Sequence, residues 1–235
     1  HGFDNLRLFK GIKLDQKSRK INILAGKIVK NNGVFHVDVE LCDDEKKGHG
    51  NNSAHAKAKA ILSDHLANPP DFQQPHRDEL LPYPKSIEEV YGKILFHGTA
   101  LRGIKAIKGL SPRWMAADLS SAPPPGKWIT APLRSRWISD PMILDCAFQM
   151  AIVWSFEQKG MVCLPSYCGT YRQFCRQFPK EGVRAFFEIT DAGSRMLRGD
   201  FTFIDAKGLV SAKITGYEAI MDTALSSAFK ARNAA

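Results

Sequence analysis

The sequence predicts an α+β protein in which curled antiparallel sheet wraps one long buried helix in the second half of the chain. Three observations carry that prediction. Residues 139–160 hold a helix start, a helix stop and an almost wholly apolar run between them. Most of the remaining chain breaks into short β-branched and aromatic runs separated by Gly, Asn and Pro, which is how strands and their turns read. A stretch with five prolines, Asn68–Pro84, divides the strand-like regions in two.

In order along the chain, Leu6–Leu14 alternates loosely, and Lys20–Lys30 carries Ile21, Ile23, Ile28 and Val29. Asn31-Asn32-Gly33 between two β-branched runs signals a hairpin. Val34–Leu41 alternates with period two, which puts Phe35, Val37, Val39 and Leu41 on one face and His36 toward solvent. The charged, glycine-bearing stretch Asp43–Asn52 reads as a loop, and Ala54–Leu62 as a further strand. Ser86–Tyr91 reads as a helical turn after the proline stretch. Trp114–Leu119 reads as a strand and Ala122–Gly126 as a proline-rich loop. Val183–Thr190, Met196–Asp205 and Leu209–Tyr217 read as closing strands parted by Gly193, Gly199 and Gly208. These elements imply a first β-rich half over residues 1–66, a linker over 67–92, and a second half over 93–235. The second half reads β–β–helix–β–β–β with its helix over 140–159.

That helix is the most informative element. Ser139 or Asp140 can cap its start, Pro141 suits a first turn where an N–H has no partner, and Gly160 supplies the stop. A helix apolar on every side is a buried one. Two polar residues interrupt it, Asp145 and Gln149, four apart and so on one face, where they are expected to meet beside a narrow cavity. A carboxyl buried there needs a partner or a purpose, because an uncompensated buried charge costs several kcal/mol. Burial would hold it protonated and able to act as an acid. The spacing leaves open a plainer role, a polar pair satisfied by backbone of the neighbouring sheet.

Hydrophobic content of 44% and charged content of 24% are ordinary globular values. The net charge of +9 fits either a solvated basic surface or an acidic partner. Lys and Arg are scattered instead of clustered among aromatics, which argues against nucleic acid. No apolar run has the length and purity of a membrane span, and no secretory signal is visible. Cys42, Cys146, Cys163, Cys168 and Cys175 form no CxxC pair and read as reduced thiols of a cytoplasmic protein. The last three read as small core residues. The spacing of His49 and His55 fits no common metal site, and no nucleophile elbow, phosphate loop or dinucleotide fingerprint is present.

The order Leu95-Phe96-His97-Gly98-Thr99-Ala100-Leu101-Arg102-Gly103, then Asp145-x-x-x-Gln149, then Leu164-Pro165-Ser166 resembles the dehydratase domains of modular polyketide synthases and of the related polyunsaturated fatty acid synthases. The resemblance implies a double hot-dog fold, with residues 5–64 as the strands following the helix of a first, incomplete hot dog. It implies removal of water from a 3-hydroxyacyl thioester carried on the phosphopantetheine of an acyl carrier protein, with no other cofactor. Asp145 would be the acid and Gln149 its orienter. His97, Gly98, Leu164 and Pro165 would line the substrate path. Neighbouring synthase domains would be partners, a homodimer is compatible with the family, and Arg134, Arg136, Arg172 and Arg176, which flank the motifs, are candidates for receiving the acidic carrier protein. One motif departs from the pattern. The family's base begins a His-x-x-x-Gly-x-x-x-x-Pro motif, and none of the seven histidines has Gly four residues on. The alternatives are a fragment whose base lies upstream and a non-catalytic scaffold for dimerisation or carrier docking. His97, expected at a strand start, is the substitute base to consider. A free-standing hot-dog thioester hydrolase is disfavoured, because it needs no fused second half.

Overall fold

The structure, a computed structural model, describes residues 1–12, 18–44, 54–76 and 79–225. The first half folds as five strands: β1 (Gly2–Leu8), β2 (Ile21–Ala25), β3 (Val29–Asn31), β4 (Val34–Asp43) and β5 (Ala54–Leu62). The β3–β4 hairpin turns at Asn32 and Gly33, whose φ values of 48° and 78° are both left-handed, the pair a tight turn matched to strand twist requires. The expected strand over Leu6–Leu14 starts and ends earlier, as β1. Residues 45–52 of the expected loop, His49 among them, lie outside the described residues, and Asp43 closes β4.

The linker ends in α1 (Ile87–Lys93), and the second half holds β6 (Ile104–Leu110), β7 (Trp114–Leu119), α2 (Pro141–Lys159), β8 (Val162–Gln173), β9 (Val183–Ala192), β10 (Met196–Ile204) and β11 (Val210–Asp222). Ser86 caps α1, and a reciprocal bond from the Ser86 N–H to Glu89 completes a capping box. Asp140 caps α2 by accepting from the N–H groups of Met142 and Ile143, both at 3.0 Å. Gly160 ends the helix at φ 65°.

Among the described residues all eleven strands join one antiparallel sheet in the order β2-β4-β5-β1-β8-β11-β10-β9-β7-β6, with β3 on β4. The halves therefore meet along β1, which pairs with β5 on one side and β8 on the other. Strand β8 is the element the sequence reading left out. Its Pro165 has no N–H to give, and it sits where the β8–β11 register shifts between Glu218 and Ala219, so the missing donor falls at an irregularity. At Gly169 a Cβ would come 2.9 Å from the Thr215 carbonyl oxygen. Close approach of β8 to β11 thus requires glycine there.

Helix α2 lies in the concavity of the second half. Ile143, Cys146, Ala147, Met150, Ala151, Val153 and Trp154 are buried against Phe187, Leu197, Phe201, Phe203 and Tyr217. Burying each phenylalanine is worth roughly 1.5–3 kcal/mol, and Phe187 stacks on Phe201 at 4.1 Å. The outer face of the same sheet carries Trp114, Ala116, Phe186, Ile204 and Val210. The proline stretch covers it with Phe72 and Leu80, Phe72 lying 5.2 Å from Phe186. That stretch is a strap across the sheet. Its end is tied to α2 by Glu157, which accepts from Tyr83 Oη at 2.7 Å and pairs with Lys85.

The first half is different. Among the described residues it holds no helix, and Ile23, Leu24, Ile28, Val29 and Leu62 are exposed. On the face of β4 that the alternation assigns to Phe35, Val37 and Val39, Val37 is buried, and Phe35 and Val39 are half-buried. His36, expected to face solvent, is half-buried as well. All five cysteines are free thiols, four of them buried and Cys175 half-buried. Among the described residues no helix is long and apolar enough to cross a membrane.

Candidate active site

The cap at Asp140 sets the phase of α2 and so sets where Asp145 and Gln149 project. The same carboxylate accepts from the Ala122 N–H at 2.9 Å, which ties the loop after β7 to the helix start. Four residues apart, Asp145 and Gln149 meet directly: Gln149 Nε2 donates to Asp145 Oδ2 at 2.7 Å. Gln149 is fully buried, and every polar atom of its amide is used. Its Nε2 also donates to the Leu101 carbonyl at 2.8 Å, and its Oε1 accepts from Tyr91 Oη at 2.8 Å. Tyr91 Oη in turn accepts from the Ile104 N–H at 2.9 Å. A chain of hydrogen bonds thus runs from the start of β6 through α1 to the carboxylate. Burial pushes the Tyr91 phenol well above its ordinary range, so it remains a donor.

Gln149 is spent on protein partners and has no exposure. Asp145 is less buried than a helix apolar on every side implies: its side chain is 31% exposed. The plainer reading of the pair holds in part, because a backbone carbonyl does satisfy Gln149, though it comes from the turn at 99–101.

His97 completes the group. It lies between α1 and that turn, not at a strand start. Its ring is 8% exposed, stacks on Phe96 at 4.3 Å, and brings Nε2 to 3.7 Å from Asp145 Oδ2. Burial lowers its pKa below the ordinary 6.5, an effect the Asp145 charge partly offsets. Arg102 is exposed; its Nε lies 3.5 Å from the His97 carbonyl, and its guanidinium sits 5.4 Å over the Tyr91 ring. The segment 97–103 can lie this close to α2 because residue 103 is glycine: a Cβ there would come 2.5 Å from Cys146 Sγ. Gly98 opens the turn by accepting from the Leu101 N–H at 2.9 Å.

Leu164 and Pro165 stand at the start of β8, paired with Ile220 and Ala219. No hydrogen bond or ring contact joins them to the Asp145 group among the described residues. Of the four arginines, three come together. Arg134, Arg136 and Arg176 line a depression of about 530 Å³ with Trp137 and Gln177, just before the N-terminus of α2. An adjoining hollow of about 690 Å³ adds Lys180 and Phe178. Arg172 is elsewhere, paired with Asp4 at 2.6 Å and donating to the Phe3 carbonyl across the β1–β8 seam. Tyr91, Leu101 and Gly103 escaped the sequence reading. The available signal was Tyr91 itself, a tyrosine in a short capped helix whose hydroxyl needs a partner once buried.

Comparison with known proteins gives three results. The family described as polyketide synthase dehydratase N-terminal domain matches residues 69–227. Among curated proteins nothing matches. Solved structures resemble the chain in fold. The dehydratase domain from the CurF module of curacin polyketide synthase is 15% identical, with TM-score 0.68, covering 94% of this chain and 75% of that one. A trans-AT PKS dehydratase domain from Brevibacillus brevis is 13% identical, with TM-score 0.71, covering 94% and 76%. The dehydratase domain of RzxB from Pseudomonas fluorescens is 13% identical, with TM-score 0.64, covering 93% and 74%. The fold is the double hot-dog of these domains.

Proposed function

Because the chain belongs to the polyketide synthase dehydratase family, we propose that it supplies the acid half of a dehydration site acting on 3-hydroxyacyl thioesters carried by an acyl carrier protein. In that reaction a base removes the proton at C2, the C2–H electron pair becomes the C2=C3 double bond, and the C3–O bond breaks. Asp145 gives its proton to the departing oxygen, which leaves as water. The observation that carries the reading is the Gln149 amide. It is fully buried and makes three hydrogen bonds, one of them to Oδ2, so it fixes a carboxyl that is itself 31% exposed, as an acid that must meet one oxygen requires. The substrate arrives on phosphopantetheine, and the chemistry calls for no further cofactor. The arginine-lined depression before α2 would receive the acidic carrier protein, within a polyketide or polyunsaturated fatty acid synthase.

A second reading has its own observation: residues 1–235 contain no His-x-x-x-Gly motif to act as base. On that reading the chain is a scaffold for dimerisation or carrier docking. The test is mass-spectrometric turnover of a carrier-bound 3-hydroxyacyl substrate by this chain and by Asp145→Asn. Without a general base the rate should be lower by roughly 10²–10⁴-fold than with one, and Asp145→Asn should remove what remains. Residual turnover that survives Asp145→Asn rules out Asp145 as the acid. The absence of turnover in both favours the scaffold.

A further inference from the structure

We propose that His97 is a positioning residue for Asp145, a neutral imidazole with its proton on Nε2 that holds Oδ2 together with Gln149 and leaves Oδ1 as the oxygen that carries the catalytic proton. The ring has two nitrogens in opposite circumstances. Nε2 faces Asp145 Oδ2 at 3.7 Å, whereas Nδ1 is buried and has no partner among the described residues. A proton on Nδ1 would bury an unpaired N–H and turn the Nε2 lone pair toward a carboxylate oxygen, two unfavourable arrangements at once. A proton on Nε2 aims a donor at the carboxylate and leaves only an unpaired acceptor behind. The imidazolium keeps the favourable contact but also buries an unpaired N–H, so burial favours the neutral ring.

Of the charged groups nearby, Asp145 on α2 faces the ring, and Arg102 on the following turn meets the His97 carbonyl. Tyr91 on α1 joins the same group through Gln149. At 3.7 Å the Nε2 contact is about 0.7 Å longer than an ordinary N–H···O bond, so it steers the carboxyl electrostatically without tying it up. The Gln149 hydrogen bond and the longer His97 contact both fall on Oδ2, and among the described residues nothing donates to Oδ1. An acid proton on Oδ1 displaces no existing bond; one on Oδ2 would oppose the Gln149 N–H. The catalytic use of this arrangement rests on the dehydratase reading above, whereas the tautomer and the coupling of the two side chains do not.

The experiment is a two-bond ¹H–¹⁵N correlation spectrum of the full chain labelled at histidine, recorded across pH without substrate. His97→Gln identifies the His97 signals by their loss. The expected pattern is the Nε2–H tautomer at neutral pH, with a titration midpoint below the ordinary 6.5 that falls further in Asp145→Asn, because the carboxylate is what holds it up. An Nδ1–H pattern overturns the proposal, and so does a midpoint that Asp145→Asn leaves in place. Unchanged signals from His36 and His55 establish that the variant is folded, and should it not fold, the tautomer in the unsubstituted chain decides. Turnover plays no part, so failure here is distinct from failure of the dehydratase reading.

Discussion

Gln149 has three partners and no exposure, so its truncation should reach every part of the group. Gln149→Ala strands the Tyr91 hydroxyl, the Leu101 carbonyl and Asp145 Oδ2 together. Leaving a buried polar group unpaired costs roughly 1–3 kcal/mol, and a loss of that order should appear in urea unfolding, with turnover reduced roughly 10²-fold by the misplaced carboxyl. His97 gives a pH signature of its own. Its folded pKa lies below the unfolded 6.5, so the unfolded chain binds the extra proton first as pH falls. The stability it contributes is complete above 6.5 and is lost as pH falls from there through the lowered value. The urea midpoint should therefore drop between pH 7.5 and 5 more steeply in the parent chain than in His97→Gln. Parallel slopes would contradict the lowered pKa.

At the scale of elements, α2 depends on one side chain at its start. Asp140→Ala removes the cap and also leaves the Ala122 N–H without its acceptor. Cap loss alone costs about 1–2 kcal/mol, and Asp140→Asn, which keeps an accepting oxygen, should recover part of it in thermal unfolding. This helix was readable from sequence because its signals are local: an acceptor before Pro141, an apolar surface all round, Gly160 after it. Strand β8 was not, because Pro165, Gly169 and its hydroxyls look like a loop until β1 and β11 are in place on either side. The same difference separates the site residues. The Asp145–Gln149 contact follows from helix geometry, but the 31% exposure of Asp145 depends on where the segment 97–103 crosses α2. Arg172 sits within the motif region in sequence, yet Asp4, far away along the chain, claims it. The proline stretch reads as a spacer because nothing in its composition tells that Phe72 has Phe186 to lie on.

For the whole molecule, three of the 33 basic side chains behind the charge of +9, Arg134, Arg136 and Arg176, share one depression. Carrier-protein binding should weaken as salt rises through the physiological range, where the Debye length is about 8 Å. Alanine at Arg134, Arg136 and Arg176 should weaken it and flatten the salt dependence, both measurable by titration calorimetry. Arg172→Ala should instead lower stability with little effect on docking, because its charge is spent on the seam. Salt-indifferent binding that survives the three alanines would remove the depression as the docking surface.

The seam has a further consequence, in time. Strand β1 precedes both of its neighbours, β5 and β8, and the second of these lies far along the chain, with Leu6 opposite Cys168. On a ribosome adding about 5–20 residues per second, the second neighbour of β1 emerges roughly 8 to 30 s after β1 itself. Throughout that interval one edge of β1 presents unpaired amides and carbonyls, a template any nascent neighbour could extend. Strand β1 is thus completed long after it is made, and the sheet stays open in its middle, not at its rim, until translation has passed Gln173.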